Sequence, residues 1–365
     1  TNRVCLLTLM GNKILYIFPE SSTFIRKDIG FLSIHYRVIT PEHDWKIKSQ
    51  VPLNFIRQFF FLCRNLRGSG AVFVMFGGYW SFLPALTGKI TGIPVYIIPG
   101  GTDCVSFPSL NYGSLRKPVM RTFIRWSFQL CTKLLPVDES LVLSGYTYLP
   151  DADYPKQGFM YFFPRLRTPY RVVHNGFDPD FFSTDPAAKR ADSFIAVAPV
   201  SNMTRVRVKG VDLVIHLARR FTGCTFTLVG VADDVIRALS PLPSNLVVYP
   251  WLPKEKFIGL LAGSRFVLQL SVSEGFPNAL CEAMLCHCIP VGSAVGAIPS
   301  IIGDTGFVIA SPERKYLEKR FEVILGTESG EQNRLGIMAR NRIAEMYHIS
   351  RREKAFLEIL DEIPG

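Results

Sequence analysis

The sequence predicts an α/β protein in which two doubly wound parallel sheets face each other across a cleft. Short β-branched and aromatic runs alternate with longer amphipathic segments from Lys13 onward, as in parallel strands joined by crossover helices. This rhythm occurs twice, and 365 residues are comfortable for two domains of ordinary size. Because ligands of such sheets bind outside the carboxyl ends of the strands, two facing sheets predict a binding cleft between the domains.

In the first half, five apolar runs bounded by turn signals are predicted strands, at residues 14–18, 37–40, 71–76, 94–98 and 134–138. Helices fit between most of them. In the second half, six similar runs are predicted strands, at residues 194–199, 226–229, 246–249, 266–270, 290–293 and 307–309. The helices that separate these strands are expected to begin near Val211, Asp234, Lys254, Asn278 and Ile298.

A cluster of Pro, Asp and Ser at residues 178–186 predicts the linker between the halves. The first domain is therefore expected to comprise residues 1–183 and the second residues 184–345. A stretch with helical periodicity follows at residues 341–363, and its end, residues 346–365, is expected to form a C-terminal helix that crosses back to the first domain.

Composition argues against several classes of protein. The apolar runs are far shorter than the roughly 20 residues of a bilayer span, and residues 1–9, an extra strand or an extension outside any sheet, lack a convincing cleavage signal. We therefore expect neither a transmembrane helix nor secretion. The eight cysteines lack the paired spacing of a disulfide framework, which fits a reducing cytoplasm.

The net charge of +11 is unevenly distributed along the chain. Residues 1–183 contain 20 Lys and Arg against 11 Asp and Glu, whereas the remainder contains 21 against 19. A basic half suits an anionic partner, and simple solubility is the alternative. No aromatic and basic array of a known nucleic-acid module is present, so we expect no nucleic-acid partner.

The strongest chemical signal follows a predicted strand of the second half. Glu274 and Glu282 are separated by seven residues, one in the loop before the helix predicted from Asn278 and the other about a turn inside it. Pro277 suits the first helical turn, whose free backbone amides attract phosphate. Gly275 has no side chain to block close approach. The segment therefore predicts a phosphate site flanked by two carboxylates.

An ionised carboxylate only accepts hydrogen bonds and can take two at once, which suits the diols of a sugar and of a ribose. One carboxylate can therefore reach a sugar and the other a ribose. The alternative is structural: Glu274 would cap the helix and complement its dipole, while Glu282 would form a surface ion pair.

Three cations, Arg205, Arg207 and Lys209, lie between the first strand of the second half and the helix predicted near Val211. In a closed site, fixed cations stabilise the charge of a departing nucleoside diphosphate without a metal. We expect Lys209 and one arginine to do so. The alternative is a solvated surface loop.

The segment SEGFPNALCEAM, followed by IPVGSAVGAIPSIIGDTGFVI, resembles the donor-binding region of retaining GT-B glycosyltransferases. The motif of this large group 1 family is a Glu, seven residues and a second Glu. VKGVDLVIHLA and VVHNGFDPDFF also resemble family segments, and the likeness extends over most of residues 13–360, densely in the second half. The resemblance implies two Rossmann-like domains, the first binding an acceptor and the second a nucleotide sugar.

The resemblance also implies roles for single residues. Glu274 would contact the donor sugar, and Glu282 would hold the ribose hydroxyls. Lys209, with Arg205 or Arg207, would neutralise the diphosphate. The choice between the two arginines stays open.

Further donor contacts are implied by the same resemblance. The backbone of five consecutive residues would line the sugar and phosphates: Gly275, Phe276, Pro277, Asn278 and Ala279. Trp251 lies near the loop that meets the base in this family. The nucleotide sugar, UDP- or GDP-linked, would be a co-substrate, and no metal or other cofactor is expected.

One departure from the family concerns the first domain. Many relatives have a histidine followed by Gly, Thr and Asp at the end of a strand, whereas this chain has Gly100, Gly101, Thr102 and Asp103. We therefore expect either a donor that lacks a usual hydroxyl there or a substitute contact from Asp103.

Two Asp-x-Asp triplets lie at residues 151–153 and 178–180. They raise the alternative of a metal-dependent glycosyltransferase whose fold is not GT-B. Both triplets lie in Pro-rich connecting stretches, and the cations near Lys209 already offer neutralisation of charge. We therefore expect no metal site.

A basic helix is predicted at residues 117–133, where Lys117, Arg121 and Arg125 recur at helical spacing beside an apolar line. A second segment, residues 54–67, combines four phenylalanines with three arginines. Both could rest on anionic lipid, and the alternative is two ordinary helices packed on a sheet. We expect a cytoplasmic protein, peripheral on the inner face of the membrane if its acceptor is lipid-linked.

The function that these expectations favour is transfer of a sugar from a nucleotide sugar to a glycan or lipid-linked acceptor, with retention of configuration. Two alternatives stay open. One is a nucleotide-sugar epimerase or a phosphorylase of the same architecture. The other is a non-catalytic sugar-binding protein, against which the presence of Glu274, Glu282 and Lys209 argues.

Overall fold

The computed structural model describes residues 12–41, 43–45, 47–182, 184–185 and 189–362. Residues 1–9 and positions 183 and 186 of the predicted linker lie outside this part of the chain. The described residues form two parallel β-sheets with helices on both faces, which confirms the predicted fold class. Among these residues, no helix has both the length and the apolar character needed to span a bilayer.

The first domain is built on a five-stranded sheet. Its elements are β1 (Lys13–Ile17), α1 (Thr23–His35), β2 (Arg37–Ile39), α2 (Val51–Asn65), β3 (Ala71–Met75), α3 (Tyr79–Thr91), β4 (Val95–Ile98), α4 (Pro118–Leu130) and β5 (Lys133–Leu134). A short hairpin and a single helical turn follow, β6 (Ser144–Gly145), β7 (Lys156–Gln157) and α5 (Phe159–Phe162). The sheet order is β2-β1-β3-β4-β5 and every pairing is parallel. β5 is shorter than the predicted strand at 134–138, although the amides of Leu135 and Val137 still donate to Ile97 O and Pro99 O at 2.7 and 3.1 Å.

The second domain is built on a six-stranded sheet. Its strands are β8 (Arg190–Val200), β9 (Thr225–Val231), β10 (Leu246–Tyr249), β11 (Ser264–Gln269), β12 (Ile289–Ser293) and β13 (Phe307–Ile309). Its helices are α6 (Met203–Val208), α7 (Val211–Arg220), α8 (Asp233–Leu239), α9 (Lys254–Gly263), α10 (Asn278–Leu285), α11 (Ile298–Ile302) and α12 (Arg314–Leu325). The order β10-β9-β8-β11-β12-β13 places the switch point, where the direction of winding reverses, between β8 and β11.

The direction of winding decides which helices share a face of the first sheet. Right-handed crossovers that run from β2 through β3 and β4 to β5 place α2, α3 and α4 together on one face. The opposite face is covered by α1 and by the last helix of the chain. The ring of Phe356 in that helix stacks on Phe73 of β3, with centroids 4.9 Å apart.

The C-terminal stretch with helical periodicity, residues 341–363, is interrupted by a break between two helices, α13 (Ser329–Met346) and α14 (Ile349–Asp361). α14 lies within the C-terminal helix expected at residues 346–365, of which residues 363–365 lie outside the described part of the chain. The break comes from contacts with a distant segment. The amide of Phe177 donates to Tyr347 O at 2.9 Å, and the amide of Ile349 donates to Phe177 O at 2.8 Å. The His348 side chain then caps α14 by accepting a hydrogen bond from the amide of Ser350.

The last helix, α14, packs on the first domain although it follows the second in the chain. A buried ion pair fixes it there: Arg352 Nε and Nη2 donate to the two carboxylate oxygens of Asp28 in α1, at 2.6 and 2.7 Å. Both side chains are at most 2% exposed. One buried apolar cluster runs from the first sheet through this junction to α10 and α13, and a second cluster covers the other face of the second sheet.

Candidate active site

Lys209 and Glu274 meet at the switch point of the second sheet. Lys209 follows β8 and α6, Glu274 follows β11, and the ammonium nitrogen of Lys209 lies 2.5 Å from Glu274 Oε1. The side chains are only 11% and 12% exposed. The crevice outside the carboxyl ends of strands at a switch point is where ligands of open α/β sheets bind. Of the ion pairs among the described residues of the second domain, the most shielded is therefore placed where a ligand is expected.

Backbone contacts around Gly210 hold Lys209 against the loop after β11. Gly210 has a left-handed φ of +66°, and a Cβ there would lie 2.1 Å from Leu270 O, so no larger residue fits without a shift of backbone. The amide of Val272 donates to Val208 O at 2.8 Å, which ties the two loops together. These contacts thus fix the backbone on both sides of Lys209, from which its side chain reaches Glu274.

Glu274 is held in place by neutral donors as well as by Lys209. Ser271 Oγ and Gln269 Nε2 donate to Glu274 Oε1 at 2.8 and 3.1 Å. All these contacts meet one oxygen, so the second carboxylate oxygen remains an acceptor for a hydroxyl among the residues described. Glu274 does not cap a helix, because the residue before α10 is Pro277. The structural alternative for Glu274 is therefore wrong.

The cations before Lys209 lie on a short helix, α6, and not in a loop as expected. The Asn202 side chain caps this helix by accepting a hydrogen bond from the amide of Arg205. The guanidinium of Arg205 lies 5.3 Å from the ring centroid of Tyr112, which belongs to the first domain, whereas Arg207 is exposed. Arg205 thus contacts an aromatic ring of the first domain beside Lys209, and the charge of Arg207 acts on another first-domain residue, Tyr146.

The electrostatics of this cluster favour a charged Lys209. Burial lowers the pKa of Lys209, but the carboxylate of Glu274 outweighs that effect, and the pKa is raised above its usual value. Burial raises the pKa of the neighbouring Tyr112 hydroxyl, so this group stays neutral at physiological pH. The site therefore combines a fixed cation and a fixed anion in a sheltered place.

The donor loop of the second domain touches the first domain through glycines. A Cβ on Gly275 would lie 2.2 Å from Gly100 O, and a Cβ on Gly101 would lie 3.4 Å from the amide nitrogen of Gly275. On the other side of the loop, a Cβ on Gly296 would lie 1.9 Å from Glu274 O. The two domains approach each other backbone to backbone next to Glu274 because Gly275 and Gly101 carry no side chain, and Gly296 lets its own loop pack against the backbone of Glu274.

The residues from Phe276 onward serve the domain junction as well as the loop. Phe276 is 6% exposed, and its ring lies 5.7 Å from His174 and 6.3 Å from Phe177, centroid to centroid. Pro277 stands just before α10 and not within its first turn, and Ala279 is the second residue of that helix.

Asn278, the first residue of α10, binds the segment that joins the domains. Its side-chain oxygen accepts a hydrogen bond from Asn175 Nδ2 at 2.9 Å. The amide nitrogens of Asn278 and Ala279 carry no intrahelical hydrogen bond because they open the helix. The helix start thus offers two donors beside Gly275.

Glu282 lies between the two domains. Burial raises its pKa to about 7, and the positive charge of Lys27 in α1 offsets part of this effect. The Lys27 ammonium nitrogen lies 3.5 Å from Gly176 O and 5.0 Å from the ring centroid of Phe177. An exposed surface ion pair, the alternative for Glu282, is therefore wrong, because the carboxyl is sheltered at the junction.

Asp103 is not free to contact a sugar, and that expectation needs correction. Its Oδ2 accepts from the amide of Gly77 at 2.8 Å, and its Oδ1 accepts from the amides of Gly100 and Gly101 at 3.1 and 3.0 Å. The residue is 1% exposed. Asp103 holds the two loops that follow β3 and β4, and Thr102 beside it is half-buried.

The ring of Phe76 fills the space next to Gly100. A Cβ on Gly100 would lie 2.2 Å from Phe76 Cε1, so this chain has no room for a larger side chain there unless the ring moves. Phe76 itself has a left-handed φ of 61°, which is unusual for a bulky residue. Where many relatives have a histidine side chain, this chain thus has Gly100, and the Phe76 ring occupies the space beside it.

Several site residues were missed by sequence reasoning. Tyr112 lies in an irregular segment without a motif, and only the fold brings it to Arg205 and Lys209. Ser271 lies within the segment that carries the two carboxylates, so its hydroxyl was a detectable signal. Trp251 follows the edge strand β10 and is 72% exposed, and its contact with a base stays a prediction.

The Asp-x-Asp triplets have structural roles. Asp153 accepts hydrogen bonds from the amide and hydroxyl of Ser109, and Asp178 accepts from the amide of Asp180. Within the described part of the chain, no group of three or more His, Cys, Asp or Glu side chains could hold a metal ion.

Comparison with known proteins bears on the second domain and on the fold. Residues 195–325 match the sequence profile of the family described as glycosyl transferases group 1. The chain superposes on Anabaena HepE in complex with UDP and glucose with a TM-score of 0.68 and 14% identity, covering 96% of this chain and 100% of that one. It superposes on sucrose-phosphate synthase from Thermosynechococcus elongatus with a TM-score of 0.73 and 12% identity, covering 96% and 98%. The fold is GT-B.

A curated relative of this GT-B chain is a human protein, one of the subunits of phosphatidylinositol N-acetylglucosaminyltransferase. The two are 26% identical over 155 residues, which is 40% of this chain. The match spans 31% of the human protein's length. Both the family match and the Lys209–Glu274 pair lie in the second domain of the GT-B fold.

Proposed function

We propose that the chain is a retaining glycosyltransferase that moves a sugar from a nucleoside diphosphate sugar to a glycan or lipid-linked acceptor. The observation that carries this proposal is the sheltered Lys209–Glu274 pair at the switch point, facing Gly101 and Tyr112 of the first domain. One side chain suits a diphosphate and the other suits sugar hydroxyls. The family match over residues 195–325 supports the same activity.

In the proposed complex, the diphosphate lies between Lys209 and the start of α10. The ammonium of Lys209, the guanidinium of Arg205 and the free amides of Asn278 and Ala279 would donate to its oxygens. The phosphate then competes with Glu274 for Lys209. Glu274 turns its free oxygen to a hydroxyl of the sugar, while Ser271 keeps the other oxygen in place.

Glu282 is the proposed ligand of the ribose. It lies about one turn inside α10, and its carboxylate accepts two hydroxyl hydrogens only when ionised. Burial raises its pKa to about 7 and so favours the protonated carboxyl. The nearby ammonium of Lys27 opposes this effect and favours the ionised form, which binds the hydroxyls. UDP is the nucleotide in the HepE complexes, which supports a uridine donor over a guanosine donor.

The proposed reaction needs no nucleophile from the protein. The bond between the anomeric carbon and the diphosphate oxygen breaks, and the acceptor oxygen bonds to the same face of that carbon. The acceptor proton passes to the departing diphosphate oxygen. Lys209 and Arg205 stabilise the charge that builds on the diphosphate, and the closed cleft holds donor and acceptor together.

The first test is a thermal-shift panel with UDP, GDP, ADP and their sugars, since ligands stabilise the folded state by mass action. We expect a shift with one nucleotide series, lost in Lys209→Met and kept in Lys319→Met, an exposed lysine of α12. A flat response of the unaltered protein to the whole panel contradicts the donor site.

The second test identifies the reaction by its products. A nucleotide sugar that raises the melting temperature in the first test is incubated with glycan and lipid-linked acceptors. NMR of the product then reports the anomeric configuration. An inverted product contradicts retention. Sugar interconversion without an acceptor indicates an epimerase, and a requirement for inorganic phosphate indicates a phosphorylase.

A further inference from the structure

The basic charge of the first domain is concentrated in one stretch of chain. Between Asp44 and Asp138 there are 11 Lys and Arg residues and one acid, Asp103. That acid is 1% exposed and accepts hydrogen bonds from three amides, so it offers no negative charge at the surface. This stretch therefore presents positive charge almost alone to any partner.

The same stretch builds the layer of α2, α3 and α4 on one face of the first sheet. None of these helices contains Asp or Glu. Their inward faces are buried, as Leu62, Ala85 and Phe128 show. Seven large apolar side chains point outward from the layer and are 41% to 74% exposed: Leu53, Ile56, Phe59, Phe60, Ile90, Val119 and Trp126.

Aromatic contacts connect the three helices beneath these exposed residues, and Trp126 is the exposed residue that takes part in them. Phe55 of α2 lies 5.6 Å from Phe123 of α4, centroid to centroid, and Phe123 lies 5.8 Å from Trp126. Phe82 of α3 lies 5.7 Å from Trp126. We call the seven outward apolar residues and the aromatic rings beneath them the basic-aromatic face.

Arginines surround this face, though not as the sequence predicted. Arg57, Arg64 and Arg125 are exposed on α2 and α4. Arg121, predicted to lie on the lipid-facing side, turns inward: its guanidinium donates to Phe162 O at 3.2 Å and lies 5.4 Å from the Phe162 ring centroid. Of the basic residues predicted at helical spacing on α4, Arg121 is therefore engaged with Phe162, and the exposed Arg57 and Arg64 of α2 add basic side chains to the surface.

We propose that the basic-aromatic face docks on an anionic lipid bilayer. Exposed Phe, Ile and Trp side chains enter the boundary between headgroups and acyl chains, and arginines around them bind the headgroup phosphates. A nucleic acid fits less well, because this face offers aliphatic side chains such as Ile56 and Val119 where base recognition needs polar or stacking groups. This docking goes beyond the proposed transfer reaction and does not depend on it.

The test is co-sedimentation of the full chain with vesicles, without nucleotide. One set is neutral phosphatidylcholine, and the other contains phosphatidylglycerol as the anionic lipid, each at low and high salt. We expect binding to anionic vesicles that falls at high salt. Arg57→Glu with Arg125→Glu weakens it at least about tenfold, since each basic residue near the surface contributes to attraction.

Ile56→Ser with Phe60→Ser tests the apolar part and is also expected to weaken binding at least about tenfold, by loss of buried apolar area. Matched controls are Lys315→Glu with Lys319→Glu and Val323→Ser with Ile337→Ser, exposed residues of the second domain, which keep full binding. Unchanged thermal unfolding shows that each variant is folded.

Three results overturn the proposal. One is equal binding to neutral and anionic vesicles, or none to either. Another is equal binding by the first-domain variants and their controls. The third is a loss of affinity for single-stranded RNA, and not for vesicles, in the first-domain variants.

Discussion

Lys209 and Glu274, which follow adjacent strands of the second sheet, form an ion pair of 2.5 Å whose members are almost shielded from water. Removing two charges from water costs free energy, and only their mutual attraction offsets that cost. A diphosphate can take over the role of Glu274 towards Lys209. The two members of the pair should therefore respond in opposite ways to mutation.

Glu274→Gln is expected to lower the melting temperature and to keep or increase the shift produced by a nucleoside diphosphate. The buried ammonium loses its partner in the free protein and regains one from the ligand. Lys209→Met is expected to lose that shift. In transfer assays each variant should lose roughly 10²- to 10³-fold in kcat. Equal loss of diphosphate binding in both variants would contradict the competition.

Glu282 should make stability depend on pH. Its folded pKa of about 7 lies above the ordinary value of 4.5, so the unfolded chain releases this proton first and the unaltered protein loses stability as pH rises between those values. Glu282→Gln does not ionise. The stability of the variant relative to the unaltered protein should increase across this window by up to about 3 kcal/mol.

Urea denaturation of both proteins at about pH 5 and about pH 8 measures this difference. The control is Glu345→Gln, an exposed residue of α13, which should follow the unaltered protein at both pH values. Parallel behaviour of Glu282→Gln and the unaltered protein would show that burial does not raise the pKa of Glu282.

The strands were predictable because each is a short apolar run with polar or turn residues at both ends. Thr225–Val231 and Leu246–Tyr249 lie where the pattern placed them. The break at Tyr347 was not predictable, since its cause is a pair of hydrogen bonds to Phe177, far away in sequence. Local periodicity continues through the break and carries no sign of that partner.

The candidate site divides in the same way. Glu274 and Lys209 could be predicted because charged residues and glycines that follow a strand indicate a ligand site, and local sequence is enough to locate the strand ends. Tyr112 and the inward turn of Arg121 depend on which loops and helices meet in the fold. The ring of Phe76 beside Gly100 is likewise a contact between two strand ends, visible only once the sheet order is known.

Phe76 and Gly100 should be coupled. Gly100→His is expected to destabilise the protein by about 1–3 kcal/mol, because the new side chain collides with the Phe76 ring. Phe76→Ala with Gly100→His should recover part of that loss, so the two substitutions are not additive. Urea denaturation of both single variants and the double variant measures the coupling, and additive losses would contradict the contact.

The same variants test the donor. If the ring replaces a contact to a hydroxyl, the unaltered protein should use a deoxyhexose donor at least as well as a hexose, and the double variant should shift towards the hexose. Competition between the two donors measures the ratio of kcat/KM. A strong preference of the unaltered protein for the fully hydroxylated sugar would contradict this expectation.

Arg352 and Asp28 should anchor α14 to the first domain. Besides its two bonds to Asp28, Arg352 Nη1 donates to Val173 O and His174 O at 3.0 Å, and Tyr16 donates to Asp28 at 2.7 Å. Arg352→Met removes the cation from the buried Asp28 carboxylate and the Arg352 donor from two carbonyls, so a loss of about 3–5 kcal/mol in the free energy of unfolding is expected. Asp28→Leu with Arg352→Met should cost less, because no charge remains buried.

Arg334→Met, which removes an exposed pair with Glu331, is the matched control and should show no measurable loss in the same urea denaturation. If Arg352→Met behaved like this control, the ion pair would not be what holds the last helix on the first domain.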